Sequence, residues 1–448
     1  MYFFFSSPSR VWMGLLALLL SWPGAQAEDL LEVYQLALTN DPRHRAAEFT
    51  YLADKQKLRQ ARAVLRPTIN ATADRSRIDL ETETDTGIVS RPAGDADINR
   101  TVFELTLTQP IYNRALFAGL RQARAEVRRA DAQFATARQD LIIRVAEAYF
   151  GLLATLDNVE LAGAEKAANA RQLEVAEGRL SVGLATITDV HDARARFQLA
   201  RAQEIEAINE VRDRRQALRE ITGRVIRDIA TVDRKAPLVE PDPPDLNKWI
   251  KTALAQDPAL IAVNEAASIA REEVKRQRAQ HWPKLNLVGS FSDTDDDESI
   301  TGPGVETERT EIGLQLSVPI YQGGLITSLT KEAAHRYNAA QQDLEAQRRL
   351  TERTARAAFL GVTSGVARIE ALRQAVIASE SALEAKTEGF KAGINTNLDV
   401  LDAQRDLFRA KRDLLDASYT YILNLLRLKR AAGIVSKNDL ALINRWLR

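Results

Sequence analysis

The chain has 448 residues, no cysteine, and balanced charge, with 61 basic and 61 acidic residues. Without cysteine there are no disulfides, no thiolate metal sites and no lipid attachment at an N-terminal cysteine. The charge balance gives no electrostatic reason to expect nucleic acid as a partner.

Residues 1–27 predict a signal peptide. Arg10 is the only charged residue before Glu28, residues 11–20 (VWMGLLALLL) form a short apolar run, and Ala25-Gln26-Ala27 gives a small-x-small cleavage site. The run is about half the roughly 20 residues a spanning helix needs. The rest of the chain reads as a tandem repeat. AL-x-x-DP occurs at 37–42 and again at 253–258, LRPTIN at 65–70 answers HWPKLN at 281–286, and TQPIY at 108–112 answers SVPIY at 317–321. GLATITDVHDAR from Gly183 is answered by GINTNLDVLDAQ from Gly393. The boundaries follow: a first repeat over 28–226, a linker over 227–244, a second repeat over 245–434, and a C-terminal tail over 435–448. A repeat of this kind fixes the architecture before any single motif does.

In chain order, each repeat predicts helix, strand, strand, very long helix, turn, helix. Proline is absent from 111–236 and from 320–448, and proline costs about 3 kcal/mol inside a helix. Residues 114–180 and 324–390 each allow 67 helical residues. That length corresponds to about 100 Å of rod at 1.5 Å per residue. Leu401, Phe408, Leu415 and Ile422 recur every seven residues, which is coiled-coil spacing. Gly361 and Gly365 suit close helix packing. Before each long helix the period changes to two. Phe103, Leu105 and Leu107 alternate with polar residues, as do Leu285, Leu287 and Phe291, and Ile312, Leu314, Leu316 and Val318. Ile69, Ala71 and Ala73 do so more weakly. These segments predict strands of about 9 to 11 residues, long enough to cross a bilayer when tilted. The stretch SDTDDDESITGPGVETE at 292–308 carries seven acids and no base and predicts a solvated loop. It begins like a calcium loop but has Glu298 and Gly304 where such a loop needs glycine and glutamate.

Four strands cannot close a barrel, since known bacterial barrels have at least eight. An open sheet edge in lipid leaves costly unpaired backbone groups. The chain must therefore share its barrel with copies of itself. The rival reading is a periplasmic coiled-coil adaptor or scaffold without a channel, which would not need bilayer-length strands in matched pairs. The four histidines are dispersed, and no phosphate-binding glycine loop or nucleophile elbow occurs; no enzyme, cofactor or metal site is expected.

The doubled AL-x-x-DP starts, the two PIY corners, the two Gly-x-x-Thr turns and the closing run YTYILNLLRLKRAAGI resemble the TolC family of outer-membrane channel-tunnels. The resemblance implies a mainly α fold with a small β part. Three chains would form a trimeric 12-stranded outer-membrane β-barrel, continued by a long α-helical periplasmic barrel of coiled hairpins. It implies a homotrimer in outer-membrane lipid. Its partners would be a periplasmic adaptor and an inner-membrane transporter of RND or ABC type, and it would export drugs or polypeptides.

It also implies site residues. The two turns resemble the periplasmic tips, so Leu180, Gly183 and Leu184 with Gly393 and Ile394 are expected to dock the adaptor. Asp399 and Asp402 match the aspartates that ring the family's narrowest opening, and Asp189 and Asp192 hold the corresponding positions in the first repeat. Clustered carboxylates resist ionising together and attract cations. The closed-state latch falls on Phe390 and Asn395, with Thr188 and Asp189 as candidate partners. The family pattern has a tyrosine and an arginine where Phe390 and Asn395 stand, which predicts a latch that relies more on packing.

Overall fold

The computed structural model describes residues 27–82, 94–232, 237–299 and 302–447. All of the expected signal segment except Ala27 lies outside these. The first repeat comprises α1 (Leu30–Asn40), α2 (Pro42–Ala63), β1 (Thr68–Thr82), β2 (Gly94–Asn113), α3 (Arg114–Ser181) and α4 (Ile187–Thr222). The second comprises α5 (Leu246–Gln256), α6 (Pro258–Arg278), β3 (Lys284–Ser299), β4 (Gly302–Ser317), α7 (Leu325–Lys391) and α8 (Asn397–Ala431). A short α9 (Lys437–Asn444) follows. The single opening helix expected for each repeat is split in two. Asp41 and Asp257 are extended rather than helical, and each caps the helix that starts at the following proline.

The long rods are present. α3 runs 68 residues and α7 runs 67, about 100 Å each. α3 starts where the Asn113 side chain accepts from the amides of Ala115 and Leu116. α7 packs closely on α8 at two of its glycines: Gly361 faces Asn424, whose amide donates to the Gly361 carbonyl at 3.2 Å, and Gly365 faces Tyr421. Any side chain at Gly361 would press on Asn424.

The four strands form one antiparallel sheet in the order β1-β2-β3-β4. The central pairing of β2 with β3 joins the two repeats. Directly opposed residues share a face, so the register builds one apolar face. Its rows are Ala71, Leu105 and Phe291; Ile69, Leu107, Gly289 and Ile312; Leu287 and Leu314; and Tyr112, Leu285 and Leu316. Leu285 to Phe291 spans about 20 Å at roughly 3.3 Å per residue. Ile312, Leu314 and Leu316 are exposed on it, at 63 to 77 %. The other face carries Thr72, Glu104, Thr106, Ser290, Ser292, Glu311 and Gln315.

The strands are longer than the expected 9 to 11 residues, running 15, 20, 16 and 16. The acidic stretch expected as a loop is the continuation of β3 and β4, apart from residues 300 and 301, which lie outside the described residues. Pairing across the repeats holds it in the sheet. Arg100 on β2 makes a two-pronged contact with Asp296 at 2.7 and 2.8 Å, and Asn99 bonds Asp297 through both its backbone and side-chain nitrogens at 2.7 Å.

The main core lies at the waist. Leu141, Val145, Tyr149, Phe150 and Leu153 of α3 are fully buried with Leu30, Val33 and Ala37 of α1, Leu426 of α8 and Leu440 of α9. Both ends of the described chain meet the linker there. Glu28 pairs with Ile229, and Val232 with Leu447. Asn444 accepts from the Leu30 amide and donates to Asp29. The Tyr149 hydroxyl donates to the Ala230 carbonyl at 2.8 Å, and burial holds its phenol well above the ordinary range. The C-terminal segment is thus a folded part of the waist. Among the described residues no helix is long and apolar enough to cross a membrane.

Candidate functional site

Two helical hairpins, α3–α4 and α7–α8, end in turns of the same build. At the first, Gly183 sits at φ 75°, its amide donates to the Leu180 carbonyl at 3.0 Å, and the Leu184 amide reaches back to Arg179 at 2.8 Å. At the second, Gly393 sits at φ 77°, its amide donates to Phe390 at 3.1 Å, and the Ile394 amide reaches Gly389 at 2.8 Å. This paired closure satisfies the last carbonyls of the helix, and it places glycine where a side chain would be strained.

The next helix then starts on a reciprocal cap. The Asp189 amide donates to the Thr186 hydroxyl at 3.2 Å, while the Asp189 carboxylate accepts from the Thr186 amide at 2.8 Å and its hydroxyl at 2.7 Å. Thr396 and Asp399 repeat this at 3.2, 2.9 and 2.6 Å. The hydrogen bonds from Thr186, backbone first, hold the Asp189 carboxyl below its usual range. Those from Thr396, hydroxyl first, do the same for Asp399. The first aspartate of each phrase therefore builds the turn as well as carrying charge.

The second aspartates differ from each other. Asp192 is exposed. Asp402 accepts from Arg196 of α4 at 2.9 Å and lies 3.2 Å from Arg405 on its own helix. The Arg196 contact bridges the two hairpins. Beside it, Leu401 is 1 % exposed and packs among Ala176, Val190 and Ala193 of the first hairpin. Asn397, 5 % exposed, accepts from the Gln172 side chain at 2.5 Å. Arg179 lies over the Phe390 ring at 4.3 Å, within cation–π range.

Of the expected latch residues, the fold brings Phe390 against Arg179. The Asn395 amide turns back to the Gly389 carbonyl at 3.2 Å, and its side chain bonds Asp399. Thr188 is exposed on α4. Of the expected tip residues, Leu184 and Ile394 are 70 and 81 % exposed, joined by Val182 and Ile187. Leu180 instead packs against the Leu401 cluster.

Arg179, Gln172, Arg196, Asn397 and Leu401 do not stand out as site residues in the sequence. One signal is there: Asn397 is polar where the first copy of the phrase has Ile187.

Residues 33–224 and 249–434 match the model of the outer membrane efflux protein family. The chain belongs to that family. It is 37 % identical to the outer membrane protein TolC of Vibrio cholerae serotype O1, over 94 % of both chains. It is 33 % identical to the alkaline protease secretion protein AprF of Pseudomonas aeruginosa, over 96 % of this chain and 90 % of that one. The fold matches the Campylobacter jejuni CmeC outer membrane channel with a TM-score of 0.79, covering 96 % and 94 % of the two chains at 17 % identity. The Vibrio cholerae outer membrane protein VceC matches at 0.77, covering 90 % and 96 % at 20 % identity. As a member of the outer membrane efflux protein family, the chain is an outer-membrane protein of efflux or secretion. Its family is one of channels rather than enzymes.

Proposed function

We propose that this chain is one third of an outer-membrane exit duct. Three copies close a 12-stranded barrel in outer-membrane lipid, and their long hairpins continue it as a tunnel through the periplasm. The duct receives drugs or polypeptides from an inner-membrane pump through a periplasmic adaptor. The observation that carries this reading is the sheet. It has one apolar face about 20 Å tall and stands on two rods of about 100 Å, and among the described residues β1 and β4 are its unpaired edges. A sheet edge in lipid demands a partner strand, and a second copy offers one.

The helices support the same ring. α6 lies between α3 and α7, while α2 packs on α3. The order α2, α3, α6, α7 then continues into α2 of the next copy. AprF and the proteases secretion protein PrtF of Dickeya chrysanthemi, 29 % identical over 97 % of this chain, carry secretion in their names. They favour polypeptides as one class of cargo, beside small molecules.

At the periplasmic mouth, Asp399 and Asp402 form the acidic ring, with Asp189 and Asp192 as an outer set. The low-lying Asp399 stays ionised, and Asp402 faces Arg196 and Arg405. Leu184 and Ile394, with Gly183 and Gly393 beneath them, offer the adaptor an apolar knob at each tip, and Leu180 braces the first from inside. Phe390 and Asn395, with Thr188 of the other hairpin, make the latch, which leans on the Arg179–Phe390 contact.

The test is ion selectivity of the reconstituted protein. D399N/D402N should lose cation preference and block by a trivalent cation. A double variant that kept both would remove these acids from the aperture.

A further inference from the structure

The two repeats place a buried aspartate at the same point but treat it differently. Asp41 is 2 % exposed, accepts from the His44 amide at 3.0 Å, and takes both terminal nitrogens of the Arg144 guanidinium at 2.5 and 3.2 Å. Asp257 is 6 % exposed and accepts from the Ala259 amide at 3.1 Å and the Thr351 hydroxyl at 2.8 Å. An offset of 210 matches Gly183 with Gly393, Gly151 with Gly361, and buried Leu152 with buried Val362. The same offset matches Arg144 with Thr354. The second repeat therefore has a threonine where the first has the arginine that answers its aspartate.

What remains is a cavity of about 550 Å³ lined by Asp257, Thr354, Ile143, Leu350 and Ala358. It opens at the surface, where Leu350 and Thr354 are exposed. A volume of this size is typical of small-molecule pockets. The cavity is built by α3, α6, α7 and α8 of a single chain. Thr351 lies 40 residues from the tip end of α7, about 60 Å along the helix, so the cavity is separate from the mouth.

Its walls also carry Asp140, Arg427 and Arg430, two guanidiniums for two carboxylates, but Glu147 from outside the cavity competes for one of them. Arg430 lies 2.9 Å from Asp140 and 3.8 Å from Asp257, and Arg427 is engaged by Glu147 at 2.7 Å. Three carboxylates share two guanidiniums. Each carboxylate oxygen has two acceptor sites, and the Ala259 and Thr351 bonds use one on each. Asp257 is left with a shared, 3.8 Å ion pair to Arg430, and a buried carboxylate without a close cation of its own is costly.

We propose that this cavity binds a monovalent organic cation. A guanidinium or primary ammonium head sits on the Asp257 carboxylate, as the Arg144 head sits on Asp41. A short apolar body lies against Ile143, Leu350 and Ala358. An inorganic cation would gain nothing from those apolar walls, and an anion would meet Asp257 while Arg427 and Arg430 are already engaged by Glu147 and Asp140.

The test titrates the detergent-solubilised full-length protein with hexylguanidinium by calorimetry, with hexanoate as the charge-reversed control. Saturable binding, one per chain, is expected for hexylguanidinium and none for hexanoate. T354R, which restores the arginine of the first repeat, should weaken binding at least tenfold with no fall in unfolding temperature. T354L should block the cavity without adding charge, and D257N should remove the counter-charge, each with a similar loss. Wild-type protein without saturable binding at millimolar probe overturns the proposal; that is the result if a neighbouring copy's side chain seats there. So does equal binding of hexanoate, or undiminished binding to the Thr354 variants. None of these results bears on conductance, so the duct reading stands or falls separately.

Discussion

Arg196 on α4 donates to Asp402 on α8 at 2.9 Å, tying the two hairpins of one chain together just behind their tips. Both side chains are about one-third exposed, at 30 and 36 %. Such a pair is worth about 0.2 to 1 kcal/mol, enough to bias a gate without locking it. R196A should raise the resting single-channel conductance and leave barrel stability unchanged. An unaltered resting conductance in planar bilayers would show that the clasp does not restrain the mouth.

The tip glycines act through backbone geometry alone. At Gly183 and Gly393 a Cβ would meet nothing within 4 Å, yet both have φ near 75°. Alanine at either should cost about 1 to 2 kcal/mol from left-handed strain. Gly178 sits inside α3 with the same open surroundings, so G178A should be neutral or stabilising by about 0.5 to 1 kcal/mol. Hydrogen exchange at the tips reads the contrast, and equal effects at all three positions would refute it.

The caps set a pH limit. Asp189 and Asp399 both have carboxyls held below their ordinary value by threonine hydrogen bonds. A group depressed in the folded state stabilises fully above its unfolded pKa, about 3.9 for aspartate. That contribution is lost as pH falls through the folded value. Tip protection against exchange should therefore be flat from neutral pH down to about 4.5 and decline below about 3.9. A decline already present at about pH 6 would contradict the assignment.

At the waist, Arg144 answers a carboxylate that is nearly inaccessible. Burial opposes ionisation of Asp41, but the Arg144 bonds and charge, with the backbone amides of His44 and Arg43, outweigh it and leave the carboxyl below its usual range. R144A strands that charge and should destabilise by about 3 to 5 kcal/mol. The expected reading is a clear drop in denaturation midpoint, against little change for R43A, whose partner Glu220 is exposed.

The long helices are legible in the sequence because local residues set their limits. Proline is absent within them, and glycine closes each tip turn, so an expectation of 67 residues meets helices of 68 and 67. The apolar strand band is legible for the same reason, since alternation is a local signal. The acidic ends of β3 and β4 read as a loop because aspartate is a poor strand former. What holds them is Arg100 on Asp296, and a pairing between residues 196 apart leaves no local mark. At the tips, the Thr-x-x-Asp caps are written in the sequence yet stand out there only as charge. The Arg196–Asp402 and Gln172–Asn397 contacts depend on how two hairpins rotate against each other, which spacing along one helix does not reveal.

The central claim, a shared barrel opening through an acidic mouth, is tested most directly by single-channel recording. The purified full-length protein would be added to a planar bilayer at both voltage signs, with and without a trivalent cation. The account predicts a small cation-selective conductance that the trivalent ion blocks and that R196A enlarges. A folded sample that sediments with the outer membrane but conducts in neither the wild-type nor the R196A form would contradict it.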